Sequence, residues 1–145
     1  NVIQATIAVG SGGLIGKGIG HGSQAQLNFL PEKHTDFMFA SIAEELGLAG
    51  SLLVIGLFLV MLWRMRTIAK NAPDNFGFLV TVGIMLMLFI QFMVNVGMNM
   101  GVMPVTGIPL PLLSYGGSSL ITVMAAIGIV SSIASRREIR IERED

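Results

Sequence analysis

Three apolar stretches dominate the chain and predict its elements. The first begins near Phe37 and ends near Trp63, with Glu44 and Glu45 in its early part and no charge from Leu46 to Trp63. The second runs from Phe76 to Asn99 and the third from Leu120 to Ser135, with no charged residue anywhere between Phe76 and Ser135. At 1.5 Å per residue, roughly 20 apolar residues carry a helix across the hydrocarbon core of a bilayer. The pattern therefore predicts transmembrane helices over 36–63, 76–99 and 120–135, a connection over 64–75 broken by Pro73, and a charged tail over 136–145. Residues 1–35 read differently. Seven glycines from Gly10 to Gly22 come too densely for a rigid helix, and Lys17 and His21 interrupt them. This part is expected to be a long loop, with Val2 to Val9 as the tail of a helix entering from preceding sequence.

Between the second and third spans lies a segment that is apolar but not helical in pattern. Residues 100–119 hold Pro104, Pro109 and Pro111, with Gly101, Gly107, Gly116 and Gly117. A continuous helix is excluded there. Broken backbone at membrane depth has to be buried in protein or line a wet cavity, which predicts a re-entrant loop. Within the second span Gln91, Asn95 and Asn99 recur every four residues and form a polar stripe on one helix face. Such a stripe more often packs against neighbouring helices than touches a substrate.

Composition fixes the class. Hydrophobic residues make up 52% and charged residues 12% of the 145, against about a quarter charged in soluble domains. The expected fold is an all-α integral membrane protein of three transmembrane helices, with a large extracytoplasmic loop and a re-entrant Pro/Gly-rich loop. Net charge is zero, yet the basic residues are unevenly placed. Lys17 and Lys33 precede the first span, Arg64, Arg66 and Lys70 follow it, and Arg136, Arg137, Arg140 and Arg143 follow the last. The positive-inside rule then puts 64–75 and 136–145 in the cytoplasm and 1–35 and 100–119 outside. No cysteine is present, so no disulfide or thiolate metal site arises. The chain starts at Asn1 without a basic n-region or cleavage site, which is expected of a processed start or a piece of something longer.

Candidate chemistry gathers at one place. Glu32, Lys33, His34, Thr35 and Asp36 stand directly before the first span, and Glu44 and Glu45 follow inside it. Ionisable groups at a membrane edge are costly unless solvated, paired or used. Local sequence by itself favours Thr35 or Asp36 as a helix cap. Against that, a cap does not call for so many acid-base neighbours. Glu44 falls about 80° round the helix from Asp36 and ~12 Å along it, and Glu45 falls on the opposite side. Ser41 to Glu44 also matches a capping box, which would start the helix at residue 42 or break it near Ser41. His21, His34 and Asp36 make a weak zinc set; a hard cation shared between Asp36 and pyrophosphate oxygens is chemically easier. The glycine-rich stretch is no nucleotide site. A phosphate loop needs glycine where Ser11 stands and Ser or Thr where Gly18 stands, and the dinucleotide pattern needs glycine at Ile15.

Gln24 to Phe39, followed by Glu44-Glu-Leu-Gly47, closely resembles the SEDS family of bacterial cell-wall proteins: RodA, FtsW and SpoVE. Pro104-Val-Thr-Gly-Ile-Pro-Leu-Pro-Leu-Leu-Ser-Tyr-Gly-Gly-Ser118 agrees with the family in kind, order and spacing. The stretch from Gly22 to Leu30 is worded as in RodA, and Lys33 is a mild departure. The resemblance implies the last three of ten spans in a peptidoglycan glycosyltransferase of the bacterial inner membrane. Its substrate would be lipid II, the undecaprenyl-pyrophosphate-linked disaccharide pentapeptide, polymerised by inversion for cell elongation, shape and division. It further implies Asp36 as the catalytic carboxylate, acting as base or as ligand of a divalent cation, Mg or Mn. Glu32, His34, Thr106, Ser114, Tyr115, Gly116, Gly117 and Ser118 become substrate-contact candidates, with Glu44 and Glu45 as further ones. Its partners would be a class B penicillin-binding protein and membrane lipids, with no nucleic acid. A lipid II transporter and a non-catalytic scaffold remain as alternatives, and the isolated chain is expected to be inactive.

Overall fold

The structure, a computed structural model, describes residues 2–19, 36–114 and 116–144. Its described residues are helices and connecting loops: α1 (Val2–Ser11), α2 (Met38–Lys70), α3 (Asn75–Asn99) and α4 (Gly117–Glu144). The last three are long and apolar enough to cross a membrane. The chain is thus all-helical with three candidate spans.

Several boundaries differ from the sequence pattern. The helical tail expected over 2–9 runs on to Ser11, and Ala5 and Ala8 present a small face that packs on Phe37, Ala40 and Met98. Residues 64–70, expected in a connection, continue α2, and only 71–74 link it to α3. Arg64, Arg66 and Lys70 leave the lipid-like pattern but are good helix formers, so nothing stops the helix until Pro73. Asp74 then caps α3, its Oδ1 accepting from Gly77 N at 2.8 Å. The charged tail 136–144 is likewise a helical extension of α4. Arg140 docks it back on the short connection, donating to Pro73 O at 2.9 Å. At its other end α4 takes in 117–119, with Leu120 N bonded to Gly116 O.

α3 packs against both α2 and α4. Phe39, Phe58 and Met65 of α2 meet Leu88 and Phe92 of α3 and Val123 and Val130 of α4 in one cluster. The Phe58 and Phe92 rings stack with centroids 4.0 Å apart. Leu110, 1% exposed, inserts from the Pro/Gly-rich loop into the same cluster. That anchor holds the loop between helices, while residues 101–107 stay exposed. Leu53, Leu57, Leu79 and Ile121 face outward, as lipid-facing side chains do.

α2 is not one continuous helix. Gly47 has φ 66° and ψ −156°, a conformation in effect reserved for glycine. The break lies there and not near Ser41. Ser41 makes no capping box: its hydroxyl donates to Phe37 O, and the helix already runs from Met38.

Candidate functional site

The start of α2 is fixed by α3. Asn95 and Asn99 are both fully buried, a position an amide tolerates only when its bonds are made. Asn95 Nδ2 donates to Asp36 O at 3.0 Å and to Ile108 O at 2.8 Å. Asn99 Nδ2 donates to Asp36 O at 3.1 Å and to Asn95 O at 2.8 Å. Asn99 Oδ1 in turn accepts from Ala40 N at 3.2 Å. One amide therefore ties the Asp36 backbone to the Pro/Gly-rich loop, and its neighbour satisfies a first-turn amide of α2.

This arrangement removes Asp36 as the N-cap of α2. The N-cap of α2 is Phe37, with no side-chain capping bond. Ala40 N is served by Asn99 from another helix. Asp36 is thus held by its carbonyl, and its half-buried carboxylate stands beside the loop: a methyl group at Gly107 would lie 3.7 Å from Asp36 Oδ2. Gly107 has φ 68°, so the loop turns there in a way that suits glycine and passes close to the carboxylate. The polar stripe is a packing device, and what it packs is the Asp36 backbone.

The other residues singled out by sequence divide clearly. Thr106 is exposed on the same loop. Ser114 is buried and serves the loop itself, its Oγ accepting from Leu110 N at 2.8 Å. Leu112, at φ 68°, is the one non-glycine with positive φ among the described residues and lies inside that same turn. Gly116 N donates to Ser114 O, and Gly117 and Ser118 open α4 on its exposed side. Glu32, His34, Tyr115 and His21 lie outside the described residues. Glu44 is 2% exposed and pairs with Lys17, Nζ to Oε1, at 3.5 Å. Glu45 is half-buried, and its carbonyl accepts from Gly18 N.

Among the described residues no three His, Cys, Asp or Glu side chains cluster. Glu44 is committed to Lys17, so Asp36 offers a single carboxylate beside the loop. That donor set fits a magnesium-like ion that takes most of its ligands from substrate phosphate and water. It does not fit an all-protein cage.

The family model described as "Cell cycle protein" for FtsW, RodA and SpoVE matches residues 1–139. The chain belongs to the FtsW/RodA/SpoVE family. Among curated family members, it is 54% identical to the peptidoglycan glycosyltransferase MrdB of Escherichia coli, covering 95% of this chain and 37% of that protein. It is 50% identical to stage V sporulation protein E of Bacillus subtilis, over 92% of this chain and 36% of the relative. Two solved family structures share its fold. One is a chain of a peptidoglycan synthase complex that coordinates polymerization and crosslinking, with TM-score 0.75 and 36% identity over 92% of this chain and 37% of that one. The other is an aspartate-to-alanine mutant of the rod shape determining protein RodA of Thermus thermophilus, with TM-score 0.70 and 38% identity over 93% of this chain and 40% of that one. The chain therefore spans a little over a third of the length of the relatives it matches. As a family member with three candidate spans, it is part of a multi-pass membrane protein.

Sequence reasoning did not pair Lys17 with Glu44. The available signal was a charge imbalance: a carboxylate inside a span calls for a cation, and Lys17 and Lys33 are the two lysines that precede the span.

Proposed function

We propose that this chain is the Asp36-bearing part of a peptidoglycan glycosyltransferase of the bacterial inner membrane, with lipid II as its substrate. One observation carries the reading. The half-buried Asp36 carboxylate stands beside a glycine-turned loop while its own backbone is locked by two buried amides. A carboxylate on a fixed backbone is what general acid–base chemistry needs, since the proton acceptor must be held within hydrogen-bond reach of the reacting hydroxyl.

In this reading Asp36 receives the proton of the acceptor sugar hydroxyl as that oxygen attacks the anomeric carbon of the lipid-linked donor. Undecaprenyl pyrophosphate leaves from the opposite face, so the linkage inverts in one displacement and no sugar–enzyme bond forms. In the alternative role, Asp36 would instead hold a divalent cation, Mg or Mn, which would supply neutralisation of charge on the departing pyrophosphate. Thr106 and the Gly116–Ser118 turn border the same loop and are the substrate-contact candidates. The Asp36 end faces outside and the Arg64 and Arg136 ends face the cytoplasm, on the basic-residue rule. A class B penicillin-binding protein is the partner, supported by the likeness to a chain of a peptidoglycan synthase complex.

The test uses the purified full-length protein in vesicles with lipid II, followed for strand synthesis and for lipid movement in parallel. Glycan strands resolved on a gel are expected. Lipid II crossing the bilayer without strands would replace the reading with transport.

A further inference from the structure

The break in α2 at Gly47 is filled by the glycine-rich segment. In an unbroken helix Leu48 N and Ala49 N would bond to Glu44 O and Glu45 O. Here all four groups are turned to residues 13–18. Leu48 N donates to Gly13 O at 2.8 Å and Ala49 N to Leu14 O at 3.4 Å, while Lys17 N and Gly18 N donate to Glu44 O and Glu45 O, each at 3.0 Å. Backbone meets backbone, and glycines make room for it. A Cβ on Gly12 would overlap the Ala43 carbonyl, one on Gly16 the Glu45 carbonyl, and one on Gly47 the Gly16 amide. The Lys17 and Gly18 amides are consumed by α2.

The brace isolates residues 38–46 as a short helical segment with Asp36 just ahead of its first turn. Its start is held by Asn95 and Asn99, and its far end by residues 13–18. Lys17 Nζ and Glu44 Oε1 close that far end with the ion pair at 3.5 Å. Glu44 is almost wholly buried, whereas the Lys17 side chain is 37% exposed. A buried pair of this kind adds little net stability over an apolar one, and its best-attested use is to fix register.

We propose that Lys17 and Glu44 are positioning residues for Asp36: the pair sets the register of the brace on the 38–46 segment, and so the placement of the catalytic carboxylate. The inference rests on the proposed function for its kinetic arm only. Glu44 lies about 12 Å along the helix from Asp36, so neither residue has to touch the reacting sugars.

The experiment uses cysteine-free full-length protein in membranes, with two readouts. In the first, Lys17→Met, Glu44→Gln and the double variant are assayed for strand synthesis from lipid II. Each is expected to lose about tenfold or more in kcat with KM within about twofold, and the double variant to fall no further than the singles. Lys17→Arg should stay within about threefold of wild type. Unchanged kcat, or a loss carried by KM, overturns the proposal, the latter because it marks a substrate contact. If Lys17→Met does not accumulate folded, Glu44→Gln, which removes the buried charge together with the pair, carries the same expectation. The second readout needs no activity. The rate of modification of an Asp36→Cys thiol by an impermeant reagent should change about fivefold or more when Lys17→Met or Glu44→Gln is added. An unchanged rate overturns the positioning role, even if wild-type protein makes no strands and the proposed function itself fails.

Discussion

Removing the Asn95 amide should loosen the Asp36 end of α2 by a calculable amount. Asn95→Ala deletes the bonds to Asp36 O at 3.0 Å and Ile108 O at 2.8 Å. The two losses are unequal. Asp36 O keeps Asn99 Nδ2 at 3.1 Å, whereas Ile108 O loses the donor that ties the loop to α3. An orphaned buried acceptor costs about 1–3 kcal/mol, although side-chain bonds in membranes average about 0.6 kcal/mol because unfolded helices find other partners. The void left by the truncation adds about 1 kcal/mol. The sum is about 1.5–4 kcal/mol, towards the lower end because Ile108 is only half-buried. Asn95→Asp leaves no void but sets an acceptor oxygen against two carbonyls, and should cost at least as much. Reversible SDS unfolding of the full-length protein measures the free energies, with strand synthesis followed alongside. Both variants should lose stability, and activity should fall more than the folded fraction does. If Asn95→Ala unfolds within about 0.5 kcal/mol of wild type and polymerises normally, the clamp is not what holds Asp36.

Two further outcomes follow from the same geometry. Gly47→Ala forces a side chain into a glycine-only conformation and into the Gly12 carbonyl, 2.9 Å from the added Cβ. It should cost about 3 kcal/mol or more, while Gly56→Ala, with open space around its Cβ, should be neutral or stabilising by up to about 1 kcal/mol in the same unfolding assay. For orientation, Thr106→Cys should react with an impermeant thiol reagent in intact spheroplasts, and Asn71→Cys and Ser135→Cys only after permeabilisation; labelling of Asn71→Cys in intact cells would reverse the topology.

The spans were legible because lipid imposes a simple rule, an unbroken run without charge, and Leu46 to Trp63 and 76–99 obey it. Their ends were less so. Arg64 and Arg136 mark where apolar sequence stops, but charge alone does not stop a helix, so α2 runs on to Lys70, ahead of Pro73, and α4 is still helical at Glu144. The asparagine stripe was readable from its spacing, since a polar face every four residues inside a span has to meet partners. Which partners it met was not readable, because Asp36 and Ile108 reach Asn95 from either side of it in sequence. The cap was misplaced for the same reason: its acceptor comes from Asn99, on another helix. The glycine-rich segment looked like a loose loop because its hydrogen-bond partners lie about thirty residues away, at a break that only the φ of Gly47 discloses.

The central claim is that the Asp36 carboxylate does chemistry while its backbone does the holding. Asp36→Asn separates the two, because the bonds from Asn95 and Asn99 go to the main-chain carbonyl and survive the change. Full-length Asp36→Asn protein should insert normally and unfold within about 0.5 kcal/mol of wild type, since the change is isosteric and keeps the main-chain bonds. Its synthesis of glycan strands from purified lipid II, with magnesium or manganese present, should drop by about 100-fold or more. Strand synthesis at a near-normal rate by the Asn variant would contradict the account, and so would a loss of folding that matches the loss of activity.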